Sequence, residues 1–491
     1  MKTIGGSLPR RLKATASGAI TAGKPVIVDT DGTVSDVAVS SITQLVGSAA
    51  TFESASTVYT ASAYDSNAQK VVIIYRDGGN SDYGTAVVGT VSDMSISFGT
   101  PVVFVSASIK KGPAIAYDSD EQKVVIAYGK DSGSPANGCL VGTVSGTSIS
   151  FGSEASIFHS GLPAEMFSAV YDSNTQQVIL VYDYGTTYYY QVGSVSGTSI
   201  TFGSYTSFHT SNSNQLAAVY DPDAQRFLVM YRDAGNSNYG TVEVGTVSGT
   251  SISFGTPVVF ESATTNNIAG AYDANAQKVV LTYKDGGNSD YGTAIVGTVS
   301  GTSISFGTPV VFASDSGTFQ YQTSRFSTVY DSNAQKVVIA YRTYNDSDNP
   351  SFVIAGTVSG TSISFETAVS LHSNQVVDEY IVAVYDSNSK RVVVAVTDSG
   401  DSDYGKGIVY RTASSSTNLT SENYIGIAEY AAADTETATV LIKGGVSTTQ
   451  SSLTPGQTYF VQTDGTLGLT AGTPSVTAGT AVTSTKLIVK G

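Results

Sequence analysis

Tryptophan is absent from this sequence, cysteine occurs once, at Cys139, and only 13% of the 491 residues carry a charge. A single cysteine excludes an internal disulfide framework and a zinc site built from thiolates, so stability has to come from packing and strand pairing. Bases are also scarce: 25 Lys and Arg face 40 Asp and Glu, a formal net charge of −15. Without a basic face, nucleic acid is not an expected partner. No apolar run approaches the roughly 20 residues of a membrane-spanning helix, so membrane insertion is not expected either. The first residues carry Lys2, Arg10, Arg11 and Lys13 but lack the apolar stretch of a signal peptide.

What is present is glycine, 50 residues, and tyrosine, 30, among abundant Ser and Thr and short runs of Val, Ile and Phe. That mixture suits strands and turns, and the expectation is an all-β protein. A Tyr-Asp pair followed by a turn and a β-branched run occurs seven times, at Tyr64, Tyr117, Tyr171, Tyr220, Tyr272, Tyr330 and Tyr385, at intervals of 49 to 58 residues. A unit of that length with four strand signals has the size of a propeller blade, so the repeats predict a seven-bladed β-propeller over residues 54–412.

The fifth copy shows the parts. Strand A ends at Tyr272, a turn follows at Asp273 to Ala276, strand B runs from Lys278 to Lys284, and a loop from Asp285 to Gly292 leads to strand C. Gly301-Thr302 then makes a two-residue hairpin to strand D, Ser303 to Phe312. The side-chain period of two puts Ile304 and Phe306 on the buried face of strand D. Small residues precede each strand-A tyrosine, as an innermost strand requires, and the seven tyrosines read as stacked core packing. The seventh copy lacks strand D. Leu45 to Glu53 resembles the end of that strand elsewhere, so an N-terminal strand is expected to close the ring and remove its exposed edges.

The flanks, residues 1–53 and 413–491, look alike. Ala19 to Val34 parallels Ser452 to Leu467, both Asp-Gly pairs read as hairpin turns, and a Gly-x-Ala recurs at Gly47, Gly426 and Gly479. The simplest account is a small duplicated β-barrel or β-sandwich, split in sequence by the inserted propeller. Residues 43–53 cannot fully serve both as its Gly-x-Ala strand and as the closing strand, and ring closure is the favoured use.

Tyr424-Ile425-Gly426, Leu453-Thr454-Pro455-Gly456, Asp464-Gly465-Thr466-Leu467 and the terminal Lys486 to Lys490 together give Glu422 to Gly491 a resemblance to the closing module of structural proteins of marine tailed bacteriophages, particularly those of cyanobacteria. The resemblance implies a virion component, a fibre, appendage or surface decoration, whose partners are other virion proteins or copies of itself. It implies no catalytic residue. Such a protein is made in the host cytoplasm and ends in the extracellular particle.

Candidate chemistry was sought in the repeats. A sialidase would need clustered arginines and boxes containing Trp, which the chain lacks. His159, His209 and His372 each follow a strand D on different copies and read as exposed loop residues that cannot share a metal. The loop Asp77 to Gly84, nearly repeated at Asp285 to Gly292, offers oxygen ligands at alternating positions, which makes Asp77, Asn80, Asp82, Asp285, Asn288 and Asp290 candidate calcium ligands; no other cofactor is indicated. These loops share one face with the D-to-A crossings. That face breaks the repeat at three places, Lys130 to Gly138, Asp183 to Gln191 with Tyr188-Tyr189-Tyr190, and Thr343 to Ser351 with Tyr344 and Asn345, and tyrosine beside polar side chains suits stacking on sugars. The reading is a non-enzymatic virion structural protein whose propeller engages host surface glycans. The alternatives are a polysaccharide-degrading enzyme and a cellular surface or filament protein. The basic arm, Arg10, Arg11 and Lys13, is expected to meet an acidic neighbouring subunit, because nearly all the net acidity lies in the repeats.

Overall fold

A computed structural model describes residues 10–110, 112–133, 135–157, 163–210, 215–314, 326–343, 350–372 (the His372 side chain excepted) and 381–490. Among them there is no α-helix; strands dominate, with three single-turn 3-10 helices at Gly78–Asn80, Ala234–Asn236 and Ser399–Asp401. The chain divides into two compact units, one of residues 43–413 and one combining 1–42 with 414–491.

In the larger unit each Tyr-Asp copy is an antiparallel meander. In copy five, strand A ends at Asp273, strand B is Lys278–Asp285, strand C is Tyr291–Ser300, and strand D is broken into Ser303–Phe306 and Val310–Ala313. The predicted continuous strand D fails for two reasons. Pro309 has no N–H to give a ladder, and a Cβ on Gly307 would come within 1.8 Å of the Thr361 carbonyl oxygen on the next copy. Strand B is buried along nearly its whole length, Val279 to Tyr283 without exception, because both of its faces are covered by neighbouring copies. Each strand A lies beside that of the next copy, and the seventh lies beside the first.

Strand D for the seventh copy comes from the N-terminal side. Leu45–Val46 and the start of Ala50–Asp65 pair antiparallel with strand C, Tyr404–Arg411, of that copy. Residues 43–53 therefore belong wholly to the larger unit, as the closing strand.

The strand-A tyrosines are half-buried, not a stacked core. Their hydroxyls reach the Tyr-Asp turn of the preceding copy: Tyr117 Oη accepts from Asn67 N at 3.2 Å, Tyr330 from Asn275 N at 3.1 Å and Tyr385 from Asn333 N at 3.2 Å. The turns themselves are held by the Asp carboxylate, which in copy five accepts from Asn275 N and Ala276 N at 2.9 Å. A second set of tyrosines, on strand B, is fully buried: Tyr75, Tyr128, Tyr182, Tyr231 and Tyr283. Burial of a phenol demands a partner, and Tyr75 and Tyr283 donate to Glu53 and Glu261 at 3.0 Å, both from the preceding strand D.

The smaller unit contains two five-stranded sheets. One interleaves the two chain segments in the order Arg11–Thr15, Thr437–Leu441, Tyr424–Ala428, Pro25–Val28, Val34–Asp36. The other, from the C-terminal segment alone, runs Val446–Ser447, Lys486–Val489, Thr477–Thr483, Thr458–Val461, Leu467–Gly468. The two segments share local detail. Gly23 and Gly456 both have φ +83°, and each donates its N–H to the alanine of a Gly-x-Ala, Ala428 at 2.9 Å and Ala481 at 2.8 Å. Asp31 and Asp464 each cap their hairpin by accepting from the N–H two residues on, at 2.9 Å. Gly47, the third Gly-x-Ala, takes no part. Arg11 forms an ion pair with Glu429 inside this unit, so that base of the arm is already engaged.

Candidate functional site

The larger unit contains a cavity of about 270 Å³ lined by Tyr59, Arg76, Lys110, Asp131 and Glu165. Its residues come from the D-to-A crossings, the end of strand B in copy one and the B-to-C loop of copy two. Tyr59 adopts φ +58° inside a bulge between Val58 and Ala61. A tyrosine pays for that left-handed backbone, and the bulge sets its ring under Arg76, whose guanidinium carbon lies 5.5 Å from the ring centroid. Arg76 Nη2 also meets Asp82 Oδ2 at 2.5 Å, and the Asp82 carboxylate raises the pKa of the guanidinium. Lys110 and Asp131 are fixed through the backbone, Lys110 N donating to Gly129 O at 2.8 Å and Asp131 N to Ser108 O at 2.9 Å. Glu165 N donates to Asp183 Oδ1 at 3.1 Å. Asp183 is buried and its carboxyl is pushed up to about 6 by that burial.

Two cations and two carboxylates thus line one cavity together with an aromatic ring. The cavity offers both donors and acceptors with little net charge, which suits a neutral, hydroxyl-rich ligand.

The tyrosine run predicted to bind separates by the period of two. Tyr188 is fully buried, stacked on Phe208 at 6.0 Å and donating to Gln215 O at 3.3 Å. Tyr190 is 3% exposed, donating to Ile252 O at 3.3 Å. Both are core residues and offer no ring to a ligand. Tyr189 points the other way and is half-buried, stacked on Tyr182 at 5.9 Å. Tyr344 and Asn345 lie outside the described residues.

The candidate calcium ligands are used otherwise. Asp77 accepts from Gly79 N and Asp285 from Gly287 N, both at 2.9 Å, capping their loops. Asp82 pairs with Arg76 and Asp290 with Lys284, the latter at 3.4 Å. Asn80 and Asn288 sit within the same tight turns, where Asn288 N donates to Asp285 O at 3.1 Å. Among the described residues no group of three or more His, Cys, Asp or Glu is arranged to hold a metal ion.

His209 is likewise not an exposed loop residue. It lies on Thr206–Thr210, with Nε2 3.1 Å from Asp233 Oδ1 and Nδ1 3.3 Å from Tyr231 Oη, in the slot where other copies carry Glu53 and Glu261. The side chains of His159 and His372 lie outside the described residues.

Sequence reasoning named none of the five cavity residues as a ligand contact, although Asp131 lies in Lys130 to Gly138, where the face breaks the repeat. The signal for Tyr59 was a large aromatic at the start of an inner strand, where the fifth copy has Asn267, also left-handed at φ +54°. Lys110 and Glu165 sit at crossings whose lengths vary, so alignment of the repeats passes over them, and Arg76 and Asp131 sit at the end of a strand B and in a B-to-C loop.

No family model matches the sequence, nor does any curated protein. Solved structures do match. The BP39L lectin of Burkholderia pseudomallei gives a TM-score of 0.55 at 11% identity, over 74% of this chain and 97% of its own. The likeness shows an all-β, propeller-like fold over the part of the chain that matches. An Aleuria aurantia lectin mutant in complex with Fucalpha1-6GlcNAc scores 0.40 at 10% identity, covering 62% of this chain and 92% of that one. NanB scores 0.41 at 9%, covering 74% and 70%. At such identities the likeness concerns the fold alone.

Proposed function

We propose that this chain is a non-enzymatic glycan-binding protein whose larger unit, a seven-bladed propeller inserted into a split, duplicated β-module, holds a neutral sugar in the cleft of Tyr59, Arg76, Lys110, Asp131 and Glu165. The observation that carries the reading is the composition of that cleft: one aromatic ring held under a guanidinium, together with one further cation and two carboxylates. A lectin on the same fold is consistent with it. A glycan array probed with the full chain tests the reading, followed by Tyr59→Ala and Arg76→Ala. Binding that falls about tenfold or more in both variants is expected; unchanged binding would move the site elsewhere. Size analysis of envelope polysaccharide after prolonged incubation should show no shortening, and depolymerisation would establish the enzymatic alternative.

The smaller unit we read as the attachment module of a virion structural protein. Nine of the thirteen large apolar side chains exposed among the described residues lie in it, including Val39, Ile42, Val446, Val482 and Ile488. That share supports the reading, since apolar side chains that adjoin on a surface mark where another protein covers it. Imaging of an assembled particle decides this reading: an exposed smaller unit with a buried propeller would end it.

A further inference from the structure

The two sheets of the smaller unit correspond in register. Ile427 lies opposite Leu441 in the interleaved sheet as Thr480 lies opposite Ile488 in the C-terminal one. Ile27, opposite Ser35, likewise matches Phe460, opposite Gly468. In the interleaved sheet this outer face is covered. Ile27, Ile427 and Leu441 are at most 5% exposed and share one core cluster with Tyr459, Val461 and Leu487, from the inner face of the C-terminal sheet. The two sheets thus pack through unlike faces, and the outer face of the second is left over. There Ile488 is 39% exposed and Val446, its cross-strand partner, 42%, while Phe460 and Thr480 are partly exposed. Opposed side chains on paired strands touch, so Val446, Ile488 and Thr480 form one row across three strands. The matching face inside the chain is covered by the inner side of a like sheet, and that shows what kind of surface fits this one.

The other end of the unit presents such an inner side. In the interleaved sheet Val26, opposite Gly426, matches Tyr459, opposite Gly479, and Val440 matches Leu487. Over this inner cluster lies the connection 429–436, whose Ala432 packs on it and bridges to Ile20. The connection carries exposed Asp434 and Glu436 and also Tyr430, at 63% the most exposed large apolar side chain among the described residues. Charge separates the two ends. Residues 443–490 hold Lys443, Lys486 and Lys490 against one acid, Asp464, and the period of two puts Lys486 and Lys490 on the face of Ile488. Residues 10–36 with 414–442 hold seven acids against four bases. Two lysine-bearing faces would repel each other, whereas a lysine-bearing face meets the acidic connection with complementary charge.

We infer that the outer face of the C-terminal sheet, Val446, Phe460 and Ile488 with Lys486 and Lys490, docks head to tail on a second copy of this chain, at the connection of Tyr430, Asp434 and Glu436. Such a contact is heterologous, so it repeats and builds a ring or a filament rather than a closed pair. The inference rests on the attachment reading of the smaller unit and deepens it, by naming a copy of the chain as the protein that covers this face.

Sedimentation velocity of the full chain tests it, at concentrations from about 1 to 100 µM. The mean mass should rise past that of a dimer with concentration, and rise less in about 0.5 M NaCl, which screens the charges. Ile488→Gln should weaken assembly about tenfold or more. Lys486→Glu with Lys490→Glu makes both ends acidic, and Asp434→Lys with Glu436→Lys makes both ends basic, so each variant alone should stay monomeric. An equal mixture of the two restores opposite charges at the contact and should assemble. A monomeric parent, charge variants that assemble alone like the parent, or a mixture that stays monomeric overturns the inference. A discrete dimer that survives the Asp434 and Glu436 changes but not the lysine changes is tail-to-tail pairing and overturns it as well. An unfolding transition for each variant like that of the parent separates a lost contact from a lost fold. Imaging of the particle decides the attachment reading separately, so that reading can stand where this one fails.

Discussion

The hydroxyl of Tyr64, in the first copy, accepts a hydrogen bond from the backbone N–H of Asn388, in the last, at 3.3 Å. The same contact joins other successive copies, with Tyr117 reaching Asn67 and Tyr330 reaching Asn275. One side chain thus repeats the link between neighbours and also closes the series. Removing the hydroxyl takes one of two acceptors from an exposed amide that still donates to its turn aspartate, Asp386 or Asp273, which costs about 0.5 kcal/mol. Tyr64→Phe and Tyr330→Phe should each lower the stability by that amount in denaturant unfolding. A Tyr64→Phe variant as stable as the parent would show that the closing contact contributes nothing.

Gly47 makes a sharper case at the same seam. A Cβ there would lie 1.9 Å from the Met94 carbonyl oxygen, in the C-to-D hairpin of copy one. Gly99, Gly152, Gly255 and Gly307 meet the next hairpin in the same way, at Thr147, Thr198, Thr302 and Thr361. In copy six the slot is Glu366, paired with Lys336, because the seventh copy has no hairpin of its own to crowd it. Gly47→Ala should therefore cost about 3 kcal/mol or more through backbone overlap. Glu366→Ala, which loses only a partly exposed ion pair, should cost under about 1 kcal/mol. Equal effects in thermal or urea unfolding would contradict the steric account.

These two seams show how far the sequence could be read. The Tyr-Asp period, the hairpin glycines and the alternation of Ile304 and Phe306 are local signals, and each predicts the strand it belongs to. The resemblance of Leu45 to Glu53 to a strand-D ending was also visible, but Gly47 carried two meanings, a Gly-x-Ala and a hairpin neighbour, and only the position of Met94 distinguishes them. The site was less legible. Tyr188 and Tyr190 look like ligand residues in a list of letters, yet the period of two buries both and leaves Tyr189 outward. Arg76, Lys110 and Glu165 are separated by up to 89 positions and come together only because successive crossings share one face. Nothing local marks such a set.

The calcium question has a direct answer in solution. Asp77 and Asp285 are committed to Gly79 and Gly287, and Asp82 and Asp290 to Arg76 and Lys284. Chelation with EDTA, or addition of millimolar Ca²⁺, should leave the melting temperature unchanged. A fall with EDTA that Ca²⁺ restores would make these loops ion sites, since a bound ion stabilises the folded state by mass action.

Asp183 predicts a pH dependence with a definite sign. Burial moves its carboxyl from an ordinary value of 3.8 to about 6, against the opposing pull of the Met166 and Glu165 N–H donors. The folded state then holds a proton that the unfolded state releases, so this group weakens the fold as pH rises between those two values. Below pH 4 the group is protonated in both states and costs nothing; above pH 6 it costs about 3 kcal/mol. Asp183→Asn keeps an oxygen to accept both N–H groups and has no proton to lose. The variant should be more stable than the parent at pH 7.5, by up to about 3 kcal/mol, and the difference should close as pH falls toward 4. Burial also raises Asp77, Asp118, Asp221 and Asp285, which bend the stability of both proteins in the same direction, so the quantity to follow is the difference between variant and parent. A difference that stays constant from pH 4 to 8 would mean that Asp183 ionises as easily in the fold as out of it.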